Sequence, residues 1–125
     1  MKAITIKQPW AWAIVFADKD VENRSWSTNY RGPLLIHAGA GYRADALLPK
    51  GRQAPPRDEL DFSAILGVVD LVDVVAGSRS PWFTGQYGFV LENPRALSKP
   101  IPCKGKLGLW TPTPAQVRLV MAGLR

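Results

Sequence analysis

Residues 65–75 read Ile-Leu-Gly-Val-Val-Asp-Leu-Val-Asp-Val-Val, a β-branched, apolar run that constrains everything around it. Such a run fits a strand buried on both faces, with a bend available at Gly67. It needs strands beside it and cover above and below, so it predicts the central staple of a sheet. Shorter strand-like segments surround it at residues 3–7, 21–26, 32–38, about 87–92 and 108–110, and Gly39-Ala40-Gly41 is expected to end the third. Pro9 opens a helix to about Ala17, with Trp10, Ala13, Ile14 and Ala17 at helical spacing. Thr113-Pro114-Ala115-Gln116 has the form of a capping box and predicts a last helix to about Leu124. A short helix over 43–48, a mobile surface loop over 49–61, a loop over 77–85 and a proline-rich connector up to Pro102 complete the reading. Many short strands and few helices make a mainly β (α+β) fold, a small closed or nearly closed barrel with flanking short helices.

The 125 residues, 46% hydrophobic, suit one domain, 1–125, with one core. No apolar run approaches the roughly 18 residues of a membrane-spanning helix, and Met1-Lys2-Ala3-Ile4 leads into a strand rather than a signal peptide, so a cytoplasmic protein is expected. Cys103 is the single cysteine and His37 the single histidine, which leaves neither a disulfide nor a zinc set. No metal or cofactor is expected, and a zinc-dependent nucleobase deaminase is excluded. The net charge of +6 is uneven: residues 1–73 carry nine Lys/Arg against nine Asp/Glu, whereas 74–125 carry seven against Glu92 alone. A basic surface of this kind either faces a polyanion or serves solubility, and five tryptophans offer stacking partners for bases.

Chemistry concentrates in Ala17-Asp18-Lys19-Asp20-Val21-Glu22-Asn23-Arg24. Strand alternation puts Glu22, Arg24 and Trp26 on one face and Val21, Asn23 and Ser25 on the other. Lys19, at the turn before the strand, can reach into a cleft. A lysine becomes a base when desolvation or a neighbouring cation lowers its pKa, and Arg24 is such a cation. Glu22 can orient water or hold Lys19, and Arg24 can stabilise an oxyanion or bind phosphate. The competing readings are Lys19 as an ordinary surface lysine and a buried Glu22–Arg24 pair that only fixes the barrel.

The octet resembles the ASCH-domain signature Gly-x-Lys-x-x-Glu-x-Arg, with Ala17 in place of the glycine. Alanine there is penalised if the turn needs a positive φ. The segments 30–38 (Tyr-Arg-Gly-Pro-Leu-Leu-Ile-His-Ala) and 105–110 (Gly-Lys-Leu-Gly-Leu-Trp) also resemble family segments. The resemblance implies a PUA-like β-barrel whose members include RNA-binding modules, a proposed ribonuclease and small amidohydrolases that deacylate N4-acetylcytidine. In those amidohydrolases a threonine lies where this chain has Glu22, so a threonine nucleophile does not carry over. The expected function is therefore binding of a nucleobase, nucleoside or RNA ligand, with metal-independent deacylation of N4-acylated cytidine or cytosine. A non-catalytic RNA-binding module and a ribonuclease are the alternatives.

The expected catalytic set is Lys19 as base or proton shuttle, Glu22 as its partner, Arg24 as anion stabiliser and Glu92 as a second acid, with Asp70 and Asp73 behind it. Trp26, Tyr30 and Trp82 are expected to stack on a base. Trp10 serves either the ligand or the core, while Trp12 and Trp110 read as core. His37, at the end of a core strand, is either a packed, hydrogen-bonded residue or a ligand contact. Lys104 and Lys106 are phosphate contacts or a solvated hairpin. Cys103 reads as inert, although Lys104 beside it favours the thiolate.

Overall fold

The computed structural model describes residues 1–124. The apolar run forms β4 (Ala64–Val75), flanked by β3 (Gly32–Tyr42) and β5 (Tyr87–Pro102). With β1 (Lys2–Gln8), β2 (Val21–Arg24) and β6 (Leu109–Trp110), they make one six-stranded sheet in the order β2-β5-β4-β3-β1-β6. The β1–β3 pair is parallel and the remaining pairs are antiparallel. The sheet curls into a half-barrel with α1 (Trp10–Phe16) inside the curl and α2 (Pro114–Gly123) against the other face.

Alternation along β3 and β4 explains why both are apolar over 34–36 and 64–69. Leu34, Ile36, Leu66, Val69 and Leu71 face the core shared with Ala11, Ile14 and Val15 of α1. Leu35, Ile65 and Val68 face the second core, with Leu97, Trp110 and Val120 of α2. The sheet is thus sandwiched between helices at its centre, and the expected double-sided burial holds up to Leu71 but not beyond it, where Val72 is 41% exposed. Gly67 marks the expected irregularity: the β4–β5 register shifts there, and a Cβ would stand 2.5 Å from the carbonyl oxygen of Arg95.

Three expectations require correction. Gly39-Ala40-Gly41 does not end β3, which continues to Tyr42 because Gln8 pairs with Tyr42. Gly39 lets β1 lie close, since a Cβ there would meet the Thr5 methyl at 2.9 Å. The proline-rich connector is the second half of β5. Pairing with β2 covers only Tyr87–Val90, so beyond that point β5 is an edge, where prolines lacking an N–H are tolerated. Residues 43–48 form a turn, closed by Ala46 N–H donating to the Arg43 carbonyl at 3.2 Å, rather than a helix.

The edge strand β2 and the part of β1 beyond its short pairing with β6 do not pair through their backbones. Arg24 Nη2 instead donates to the Thr5 carbonyl at 2.9 Å, a side chain spanning the gap in the barrel wall. α1 begins beside that gap: Gln8, buried and held by Asp61, accepts from the Trp12 N–H at 2.9 Å and caps the helix in place of Pro9.

Candidate functional site

Lys19 reaches the site because α1 ends abruptly. Ala17 sits at φ −131°, so its Cβ carries no penalty, and the left-handed residue is Asp18 at φ 59°. Aspartate tolerates that region better than most residues. The reversal brings Lys19 N–H back to the Ala13 carbonyl at 3.0 Å, anchoring its backbone under the helix, and its side chain then runs inward.

Three charges of the octet line one cavity of about 610 Å³. Lys19 Nζ lies 3.4 Å from Glu22 Oε1 and also donates to the Val21 carbonyl. Glu22 Oε2 accepts from Arg24 Nε at 3.0 Å, so each carboxylate oxygen faces one cation. Lys19 is 4% and Glu22 8% exposed, whereas Arg24 is half-buried and stands nearer the solvent. Trp10 from α1 and Trp82 from the 77–85 loop flank Lys19, each ring centroid 5.8 Å from Nζ. The two indoles meet edge to face at 6.4 Å.

Burial holds the Lys19 pKa below 10.5; Glu22, by charge and hydrogen bond, and Asp20 pull it back up, and Arg24 lowers it again. Lys19 is thereby brought closer to the neutral amine that a proton acceptor requires, with Glu22 beside it to steady the ammonium once formed. Arg24 has spent Nε on Glu22 and Nη2 on Thr5, which leaves Nη1 for an anion in the cavity.

The remaining sequence-predicted residues do not join them. Glu92 is exposed on β5 opposite Asp70, outside the cavity lining. Asp70 is bound to Arg95 at 2.7 Å, and Asp73 lies 3.7 Å from Arg31. Trp26 lies past the end of β2 and packs edge to face on Phe89 at 5.2 Å, closing the core. Tyr30 packs against the same core, and its hydroxyl donates to the Pro33 carbonyl at 2.5 Å. His37 is 1% exposed; its Nε2 donates to the Cys103 carbonyl at 2.7 Å, which leaves Nδ1 to accept from the Thr5 hydroxyl at 3.2 Å. It is a satisfied core histidine. Lys104 and Lys106 are solvent-exposed and do not line the cavity. Burial pushes the Cys103 thiol up, so the neighbouring Lys104 does not activate it.

Sequence reasoning missed Lys7, Arg43 and Asp45 at the cavity, together with Thr5, Asn23 and Thr84. The position of Asn23 inside the octet was its only signal. Among the described residues, no group of three or more His, Cys, Asp or Glu converges as a metal cage, and no helix is long and apolar enough to cross a membrane.

A curled six-stranded half-barrel with a charged cavity beside a short strand defines a class of small β-barrel domains. Residues 4–95 match the ASCH domain family, and the chain belongs to that family. It is 28% identical over 124 residues to human Activating signal cointegrator 1 and 29% over 125 residues to the protein of that name from Mus musculus. Each alignment covers 86% of this chain, which spans about a fifth (21%) of those relatives. Among solved structures, an ASCH protein from Zymomonas mobilis superposes with a TM-score of 0.62 at 14% identity, covering 97% of this chain and 93% of that one. A mutant form of the same protein gives 0.62 at 17% identity, covering 96% of each. The PUA-like barrel is thus the fold of this chain.

Proposed function

We propose that this chain is a metal-independent amidohydrolase that removes the acyl group from N4-acylated cytidine or cytosine. The observation that carries it is the Lys19–Glu22–Arg24 cluster at one cavity, with Lys19 flanked by two indoles, desolvated and its pKa lowered. A cavity of about 610 Å³ accommodates a single nucleoside, and the indole walls offer apolar faces for its base. The neutral Lys19 amine takes a proton from water as that water attacks the acyl carbonyl. Arg24 stabilises the oxyanion, and the Lys19 ammonium, held by Glu22, returns the proton to the exocyclic nitrogen as the C–N bond breaks. The products are a carboxylic acid and the free amine of cytidine. Glu92 is too exposed for the role of second acid, and Lys19 supplies both transfers. Cytoplasmic residence belongs to this reading.

One observation favours a second reading, binding of the same base within RNA. Apart from Lys19, the cavity is lined by three cations, Lys7, Arg24 and Arg43, against two acids, Glu22 and Asp45, and such an excess attracts phosphate. Incubating the protein with N4-acetylcytidine, and separately with a short RNA with and without that base, separates the possibilities by chromatography. Release of cytidine and acetate is the expected result. Binding of RNA without turnover favours the module, strand cleavage favours a ribonuclease, and either result without deacylation contradicts the hydrolase.

A further inference from the structure

We infer that the signature segment has a second task, in which Asn23 and Asp20 hold the 77–85 loop as the wall that keeps Lys19 dry. Within the proposed function, Asn23, Asp20 and Ser80 are therefore positioning residues for the Lys19 base. Asn23 spends its whole amide on that loop. Its Oδ1 accepts from the N–H groups of Thr84 at 2.8 Å and Gly85 at 3.1 Å, and its Nδ2 donates to the Trp82 carbonyl at 2.8 Å. Asp20 takes the other end: Ser80 Oγ donates to its Oδ1 at 2.5 Å and accepts from the Trp82 N–H at 3.2 Å.

Trp82 is thus held on both sides, through its carbonyl by Asn23 and through its N–H by Ser80. The residue so fixed is 8% exposed, packs with Ala13, Ala17 and Val21, and sets its ring beside Lys19 Nζ. Pro81 and Thr84, on the same loop, line the cavity. The loop has no strand or helix of its own, and the Asn23 bonds go to main-chain groups of residues outside the ladder. Asn23 alternates with Glu22 and Arg24 along β2, so one short strand carries the charged cluster and the tether for its cover.

Lys19 reports the state of this wall. The charged groups that shift it are Glu22, Arg24 and Asp20 of its own segment; Lys7 of β1 and Arg43 and Asp45 of the turn after β3 line the same cavity, and α1 and the loop present the indoles of Trp10 and Trp82. Since desolvation is the largest cause of its lowered pKa, a loosened loop admits water and lets the pKa climb back toward 10.5. Two variants remove the tethers without adding charge, Asn23→Ala and Ser80→Ala. The Lys19 side chain is followed by NMR titration in ¹⁵N-lysine-labelled protein, assigned with Lys19→Met, in the absence of ligand.

The expected result is an upward shift of the Lys19 midpoint in Asn23→Ala, and a smaller one in Ser80→Ala. Should Asn23→Ala fail to fold, Ser80→Ala decides, because Ser80 is only half-buried and its hydroxyl makes just the two tether bonds. A Lys19 midpoint equal to or below that of the parent in the folded variants overturns the inference. The titration needs no substrate, so a protein that turns over no acylcytidine abandons the proposed function while leaving this result to stand or fall alone.

Discussion

Lys19 sits in a place that disfavours its charged form, and the sign of its pKa shift makes the cost of an ammonium there measurable. The folded protein releases this proton at a lower pH than the unfolded chain, for which 10.5 is the reference value. Between the folded value and 10.5 the unfolded state therefore binds more protons, and stability contributed through Lys19 rises with pH across that window. Below it, the cost of burying the ammonium is present in full. Denaturant unfolding of the parent and of Lys19→Met over the alkaline range should show the parent gaining on the variant as the pH rises; parallel curves would place Lys19 in solvent. Spacing made Glu22 and Arg24 legible, because alternation sets which side chains share a face of a strand, whereas Lys19, at the turn before β2, was marked only by the resemblance of the octet to the family signature. Trp26 obeyed the same spacing yet left the site, because β2 ends at Arg24 and the chain turns the indole onto Phe89. His37, Glu92, Lys104 and Lys106 were legible as chemistry but not as positions, which depend on pairing between distant strands.

At the scale of elements, local signals read well and long-range pairing read poorly. The capping box of α2 is present in both halves: Thr113 Oγ1 accepts from the Gln116 N–H at 3.1 Å, and Gln116 Oε1 accepts from the Thr113 N–H at 2.9 Å. Its four residues are contiguous, so nothing distant could override them. Thr113→Ala should cost about 1 kcal/mol, read as a lower denaturation midpoint with an unchanged m-value. An unchanged midpoint would mean that packing of Val120 and Leu124 against Leu97 fixes α2 without its cap. β5 shows the opposite case. Its prolines argue against a strand, yet pairing with β4 continues to Pro102, as the edge beyond Leu91, whose N–H still donates to the Asp20 carbonyl at 2.9 Å, has no neighbouring strand to donate to. That edge follows from the brevity of β2, which no inspection of residues 93–102 alone can reveal.

For the whole molecule, the fold class was legible because β4 is buried on both faces and can only sit mid-sheet, whereas the use of the basic surface was not. Lys99, Lys104, Lys106 and Arg118 are exposed and stand apart from the cavity lining, while Lys7, Arg24 and Arg43 stand within it. Net charge counts both groups alike. A neutral nucleoside should bind with an affinity that changes little between low and high salt. An RNA engaging the three cavity cations would instead show log K falling with log[salt] at a slope of about −2, since each phosphate contributes roughly −0.7 for single strands. Fluorescence titration with cytidine and with a short oligonucleotide distinguishes the two.

The central claim is that Lys19 moves the proton in acyl transfer, and single-turnover deacylation of N4-acetylcytidine by Lys19→Ala tests it most directly. Removing a general base costs about 10²- to 10⁴-fold in rate. The affinity for cytidine should change far less, because the indoles and Arg24 remain. A folded Lys19→Ala protein that releases acetate at the parent rate would contradict the claim.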